Sequence, residues 1–193
     1  MPKKKGDRNM YTLEKLREIT HNCRKCRLCS GRTNVVFGQG NPEADIMFIG
    51  EGPGRDEDLQ GEAFVGAAGQ LLTKAIEAIG LKREEVFIAN IVKCRPPGNR
   101  NPQDDEMQAC IPYLRWQVKL IHPKIIVCLG SIAGKNIIDK NLRITRQRGK
   151  WVEKKGYKIM PTFHPAALLR DENKKRPFWE DFKNIKKEYE NRV

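Results

Sequence analysis

Apolar positions along this chain follow two alternating patterns. Short, nearly unbroken apolar runs stand at 44–49 (ADIMFI), 86–92 (VFIANIV), 124–129 (KIIVCL) and 157–162 (YKIMPT). Runs of this length predict strands buried on both faces. Between them, apolar residues recur at helical spacing. Leu13, Leu16 and Ile19 predict a short helix over 11–20. Leu71, Leu72, Ala75, Ile76 and Ile79 share one face of a helix over 69–79 that stops at Gly80. Met107, Ile111, Leu114 and Val118 mark a third such face, with Asn101 expected as its cap, Pro102 as its first residue and Pro112 as the cause of a kink or of a tightened first half. A further helix is expected to begin at Gly130-Ser131, and one from about residue 176 closes the chain.

Strands alternating with helices predict an α/β fold whose mainly parallel sheet is covered on both faces. Sites in such sheets lie at the carboxyl ends of the strands. Glu51 follows the first strand, Asn90 nears the end of the second, and His164 follows the fourth.

A length of 193 residues with 39% hydrophobic and 32% charged side chains suits one buried core. No apolar run approaches the roughly 18 residues that span a bilayer. The start, Met1 to Met10, is basic and polar rather than an apolar leader. These features predict a soluble, cytoplasmic protein with a basic flexible tail over 1–10 and a single domain over 11–193. The net charge of +13 is uneven. Residues 1–33 hold ten Lys/Arg against three Asp/Glu, and residues 142–193 hold fifteen against seven, whereas 34–141 holds twelve against fourteen. Basic excess confined to the two ends points to a polyanion, most often nucleic acid. A Lys-, Arg- and Glu-rich surface suited to high temperature is the alternative.

Six cysteines in a chain of this kind argue against a disulfide framework, and their spacing argues for a metal. Cys23, Cys26 and Cys29 form a C-x2-C-x2-C run, Cys94 and Cys110 stand singly, and Cys128 sits inside an apolar strand. Spacing leaves open whether Cys26 or Cys29 pairs with Cys23, and whether the site takes zinc or an iron–sulfur cluster. His21 and His122 read as ordinary surface residues. Gly50-Glu51-Gly52-Pro53-Gly54 does not fit a dinucleotide loop, since Pro53 interrupts it and no helix is expected directly after it. The stretch from Gly130 to Asn136 is one residue short of a phosphate-binding loop and lacks its final Ser/Thr. What remains is a tight loop presenting backbone N–H groups beside a carboxylate, suited to a polar ring or a water.

Several stretches together resemble the family 4 uracil-DNA glycosylases, the iron–sulfur branch of that superfamily. They are Cys23-x2-Cys26, Val36-Phe37-Gly38, Gly50-Glu51-Gly52-Pro53-Gly54, Phe64-Val65-Gly66, Asn90-Ile-Val-Lys93-Cys94-Arg95-Pro96-Pro97, Cys110, and Arg148-Gly149-Lys150 running on to His164-Pro165-Ala166. They occur in the family's order across roughly residues 20–170. The resemblance implies a three-layer α/β/α sandwich around a four-stranded parallel sheet. It also implies a 4Fe-4S cluster held by Cys23, Cys26, Cys94 and Cys110, with Cys29 and Cys128 outside it.

The activity so implied is that of a monomeric DNA repair enzyme. It flips uracil out of single- or double-stranded DNA and hydrolyses the N-glycosidic bond, leaving an abasic site. Phe64 would stack on the flipped ring and Asn90 would read its edge, with Glu57 placed by the resemblance near C5, where thymine carries its methyl. His164 would steady the departing anion. Related glycosylases carry an Asp that orients the attacking water where this chain has Gly52, which leaves Glu51 as the nearest carboxylate. Leu168 or Leu169 would fill the hole left by the base, and Arg170 would contact phosphate. Two alternatives stand beside this reading. One is a covalent uracil-DNA binding protein of the same superfamily, whose extra basic loop with a nucleophilic His has no counterpart between Arg148 and His164. The other is a non-enzymatic zinc module that binds nucleic acid.

Overall fold

The structure is a computed structural model that describes residues 12–191. The tail expected over 1–10 lies outside the described residues. Six strands form one sheet: β1 (Gln39–Gly40), β2 (Ile46–Gly50), β3 (Phe87–Asn90), β4 (Ile125–Leu129), β5 (Val152–Lys154) and β6 (Tyr157–Thr162). Their order is β1-β3-β2-β4-β6-β5. The central four pair in parallel, while β1 and β5 pair antiparallel to their neighbours. The sheet is therefore six-stranded and mixed, which corrects the expected four-stranded parallel sheet. The edge strands carry no readable pattern because β1 has two residues and β5 three exposed ones.

The described helices are α1 (Leu13–His21), α2 (Arg55–Gln60), α3 (Ala67–Ala78), α4 (Asp104–Ile121), α5 (Ser131–Ile137), α6 (Ile144–Gln147), α7 (Pro165–Arg170) and α8 (Lys175–Glu190). Strand side chains alternate between two cores. Met47, Ile49, Ala89, Ile126 and Cys128 pack with Leu16 of α1, Leu114 of α4 and Ala133 of α5. Phe48, Ile88, Val127 and Met160 pack with Leu72 and Ile76 of α3, Leu168 of α7, and Phe178 and Phe182 of α8. Helices thus cover both faces, as strands apolar on both sides require. The Phe48 and Phe182 rings stack with centroids 5.7 Å apart, and truncating either would cost roughly 3–5 kcal/mol. Among the described residues, no helix is long and apolar enough to cross a membrane.

Three local expectations change. Helix α4 starts at Asp104, after Gln103, and not at Asn101-Pro102. The reason is Glu106, whose carboxylate accepts the Gln103 N–H at 2.8 Å and grips Arg100 through both oxygens, so the chain turns helical only there. The helix then runs through Pro112 to Ile121. The segment after His164, expected from the resemblance as a loop approaching the minor groove, forms α7 with His164 as its cap. Helix α2 likewise follows the Gly50–Gly54 loop directly. Six residues are too few for apolar periodicity to announce either helix.

Candidate active site

Parallel pairing brings the informative residues together. Gly50, the last residue of β2, lies beside Asn90, the last of β3, and Thr162 ends β6 two residues before His164. These strand ends open into a cleft of about 650 Å³ lined by Glu51, Gly52, Glu57, Phe64, Asn90, His164 and Arg170, among others.

Close approach dictates the glycines. A Cβ on Gly50 would lie 2.5 Å from both Asn90 Oδ1 and Phe64 Cζ. One on Gly52 would lie 2.8 Å from Val92 Cγ2, so a side chain fits there only if Val92 moves. Phe64 itself sits at φ +54°, a left-handed conformation that costs a non-glycine residue energy and clusters at functional sites. Its ring lies 5.6 Å, centroid to centroid, from the His164 ring.

Asn90 is 1% exposed, and its Oδ1 is a buried side-chain oxygen without a hydrogen-bond partner among the described residues. An unmet buried acceptor costs about 1–3 kcal/mol, so it marks a place where a donor is meant to arrive. His164 Nδ1 accepts the Ala166 N–H at 3.2 Å. The neutral ring must then carry its proton on Nε2. Burial, and secondarily the Arg170 charge, push the His164 pKa down to about 4, which keeps the ring neutral. Burial raises the pKa of Glu51, and Arg170 partly opposes it.

Glu57 acts within the protein. Its Oε1 accepts from Val65 and Gly66, each at 2.9 Å, and its Oε2 accepts from Gly54 at 3.1 Å. The carboxylate therefore ties the Gly50–Gly54 loop to the Phe64 loop while lining the cleft. Two residues before His164, Thr162 donates to Asp181 at 2.5 Å, and Asp181 pairs with Arg148, which accounts for the Arg148-Gly149 stretch. The two leucines separate. Leu169 is 53% exposed, whereas Leu168 is 1% exposed and packs in the core, which corrects its expected place at the DNA surface.

The cleft also contains residues that motif reading passed over. Asn99, Arg100 and Asn101 line it, and so do Thr145 and Lys174. The legible signal for the first group was its position: polar residues following the Cys94-Arg95-Pro96-Pro97 stretch at a strand's carboxyl end.

Cys23, Cys26, Cys29, Cys94 and Cys110 line a second, narrower pocket with Arg32, Lys93 and Tyr113. Arg32 donates to Cys94 Sγ at 3.2 Å, and the Lys93 backbone N–H donates to Cys110 Sγ at 3.3 Å. Burial pushes the Cys110 thiol up to about 11 and raises Cys94 and Cys26 as well. Among the described residues, no group of three or more His, Cys, Asp and Glu is gathered to grip a single ion. The donor set nonetheless suits a cluster. Thiols arrive from three distant segments, with N–H and guanidinium donors aimed at sulfur. Cys29 makes a fifth thiol in the pocket, and Cys128 lies apart, fully buried in β4.

Comparison with known proteins agrees with this geometry. The sequence profile of the uracil DNA glycosylase superfamily matches residues 37–183. A type-4 uracil-DNA glycosylase of Sulfurisphaera tokodaii is 50% identical over 92% of this chain and 84% of its own length. Those of Saccharolobus solfataricus and Archaeoglobus fulgidus are 46% and 47% identical, over 92% and 88% of this chain and 86% and 89% of their own. Sequence identity of this extent, in a chain whose cleft is lined by Asn90, Phe64 and His164, places it among the type-4 uracil-DNA glycosylases.

Proposed function

We propose that the chain excises uracil from single- or double-stranded DNA by hydrolysing its N-glycosidic bond. The observation that carries this reading is the buried Asn90 Oδ1 at the cleft, without a partner among the described residues. Uracil offers N3–H to that oxygen, and its O4 accepts from Asn90 Nδ2. Cytosine presents the reverse pattern and would leave buried groups unpaired, which discriminates strongly. Phe64 stacks on the extruded ring, a contact worth about 1–3 kcal/mol. Glu57 holds the wall near C5, and the tight loop bars the thymine methyl.

Bond cleavage leaves positive charge on the sugar and negative charge on the uracil. The neutral His164 donates its Nε2–H to O2 of the departing anion, the largest electrostatic lever available. Water attacks the sugar beside the Glu51-Gly52 loop. With Gly52 in place of a carboxylate, Glu51 orients this water more weakly than a dedicated base would. Leu169 fills the gap in the stack, and Arg170 and Lys174 hold phosphate.

Cys23, Cys26, Cys94 and Cys110 would hold a 4Fe-4S cluster. When bound, it supplies a cross-link between the N-terminal segment, the loop after β3 and α4. Six free thiols among the described residues suit a reducing cytoplasm. The reading is of one domain acting as a monomer. Incubation with a uracil-containing oligonucleotide followed by alkali should cleave the strand at uracil and nowhere else. An intact strand in every context, or an adduct that survives denaturation, would overturn turnover.

A further inference from the structure

Lys93 is 1% exposed and among the largest fully buried side chains. Lysine is almost never buried so completely unless it is paired. Here Nζ donates to the backbone oxygen of Asn90 at 2.9 Å and to Gln117 Oε1 at 2.6 Å. Gln117, fully buried in α4, donates in turn from Nε2 to the Phe37 carbonyl at 2.8 Å. The network thereby gives a role to the Val36-Phe37-Gly38 stretch, which the cleft itself does not use. At its other end the Lys93 backbone N–H meets Cys110 Sγ, and Cys94 follows directly. One residue thus touches both the base-reading strand end and the thiol pocket.

The geometry of Asn90 makes this connection consequential. With Oδ1 unpartnered among the described residues, no protein donor fixes its amide oxygen. Its aim depends on packing and on the peptide plane after Asn90, whose oxygen Lys93 grips. We propose that Lys93, relayed through Gln117, is a positioning residue that locks the Asn90 peptide so that the amide meets the uracil edge in one orientation. The same lock makes that orientation depend on the cysteine pocket. The inference rests on the reading of Asn90 as the uracil contact.

Two full-length variants, Lys93→Met and Gln117→Met, test it. Iron per chain and absorbance near about 400 nm report the cluster. Inhibition by free uracil reports the base pocket, and affinity for an abasic-site oligonucleotide reports the DNA surface. Lys93→Met is expected to keep its iron, to lose about tenfold in free-uracil inhibition and in kcat, and to leave KM and abasic-site affinity unchanged. Gln117→Met should do the same more weakly, and the double variant should be no worse than Lys93→Met alone.

Unchanged uracil inhibition in an iron-replete Lys93→Met protein would overturn the proposal. So would an equal fall in abasic-site affinity, or loss of iron from both variants, since either makes the network mere structural support. Asn90→Ala serves as the control. If it abolishes uracil inhibition while Lys93→Met does not, the base-reading role stands and only the positioning role fails. If Asn90→Ala leaves uracil inhibition intact, the role of Asn90 fails and the inference falls with it.

Discussion

The two pockets near the end of β3 are four residues apart in sequence, at Asn90 and Cys94, and are built on opposite principles. The cleft is left incomplete. It contains a buried amide oxygen without a partner among the described residues, an aromatic residue in a left-handed conformation and a neutral imidazole with one committed nitrogen. The thiol pocket is narrower, and two of its sulfurs, those of Cys94 and Cys110, already receive N–H donors from Arg32 and Lys93. A site that must take up and release a base cannot satisfy its own polar groups in advance. A site that holds a group for the life of the protein gains by doing so.

Substitutions should therefore separate the pockets by what each disturbs. The largest expected effect is on chemistry: His164→Ala should lower kcat by about 10²–10³-fold, the usual loss for a donor to developing charge, with DNA affinity nearly unchanged. Asn90→Ala should behave similarly in single-turnover excision, and parallel losses in DNA binding would break the contrast.

In the other pocket, Cys94→Ala should act on stability. It should abolish the absorbance near about 400 nm and cost at least roughly 3 kcal/mol, or ~6–12 °C in Tm. A folded, iron-free and fully active Cys94→Ala protein would erase the distinction.

The adjacent leucines sharpen the comparison at smaller scale. Leu168→Ala should cost about 2–4 kcal/mol of stability from the cavity left in the core. Leu169→Ala should cost under about 0.5 kcal/mol and instead reduce excision from duplex relative to single strands. Melting curves beside paired substrate assays would show whether the two effects divide this way.

The smallest effects are electrostatic. Affinity should fall by about tenfold or more between 50 and 200 mM salt, and Arg170→Ala should reduce the logarithmic slope by roughly one. Lowering pH from neutrality should scarcely change kcat through His164 until about pH 4, where the ring gains its proton. Between its ordinary value of 6.5 and 4, the unfolded chain binds the proton and the folded chain does not, so stability falls as pH falls. His164→Ala should flatten that segment of the Tm profile.

The central strands and the α3, α4 and α8 helices were legible because each buries an apolar face long enough to leave a period in the sequence. Glu51, Asn90 and His164 were legible because strand ends in parallel sheets face one direction. What the chain alone determined was therefore its central strands and longer helices, the donor chemistry of its cysteines and the family its motifs resemble. Tertiary structure decided the rest. It added β1 and β5, whose few residues pair only because a neighbouring strand offers its edge. It sent Leu168 inward and Leu169 outward, since adjacent positions on a short helix diverge by about 100°. It brought Asn99–Asn101 to the cleft wall through the Arg100–Glu106 pair and joined Phe37, Gln117 and Lys93 beneath Asn90. Such contacts link residues up to eighty positions apart. No local pattern encodes them, because a hydrogen bond depends on where two atoms meet rather than on their separation along the chain.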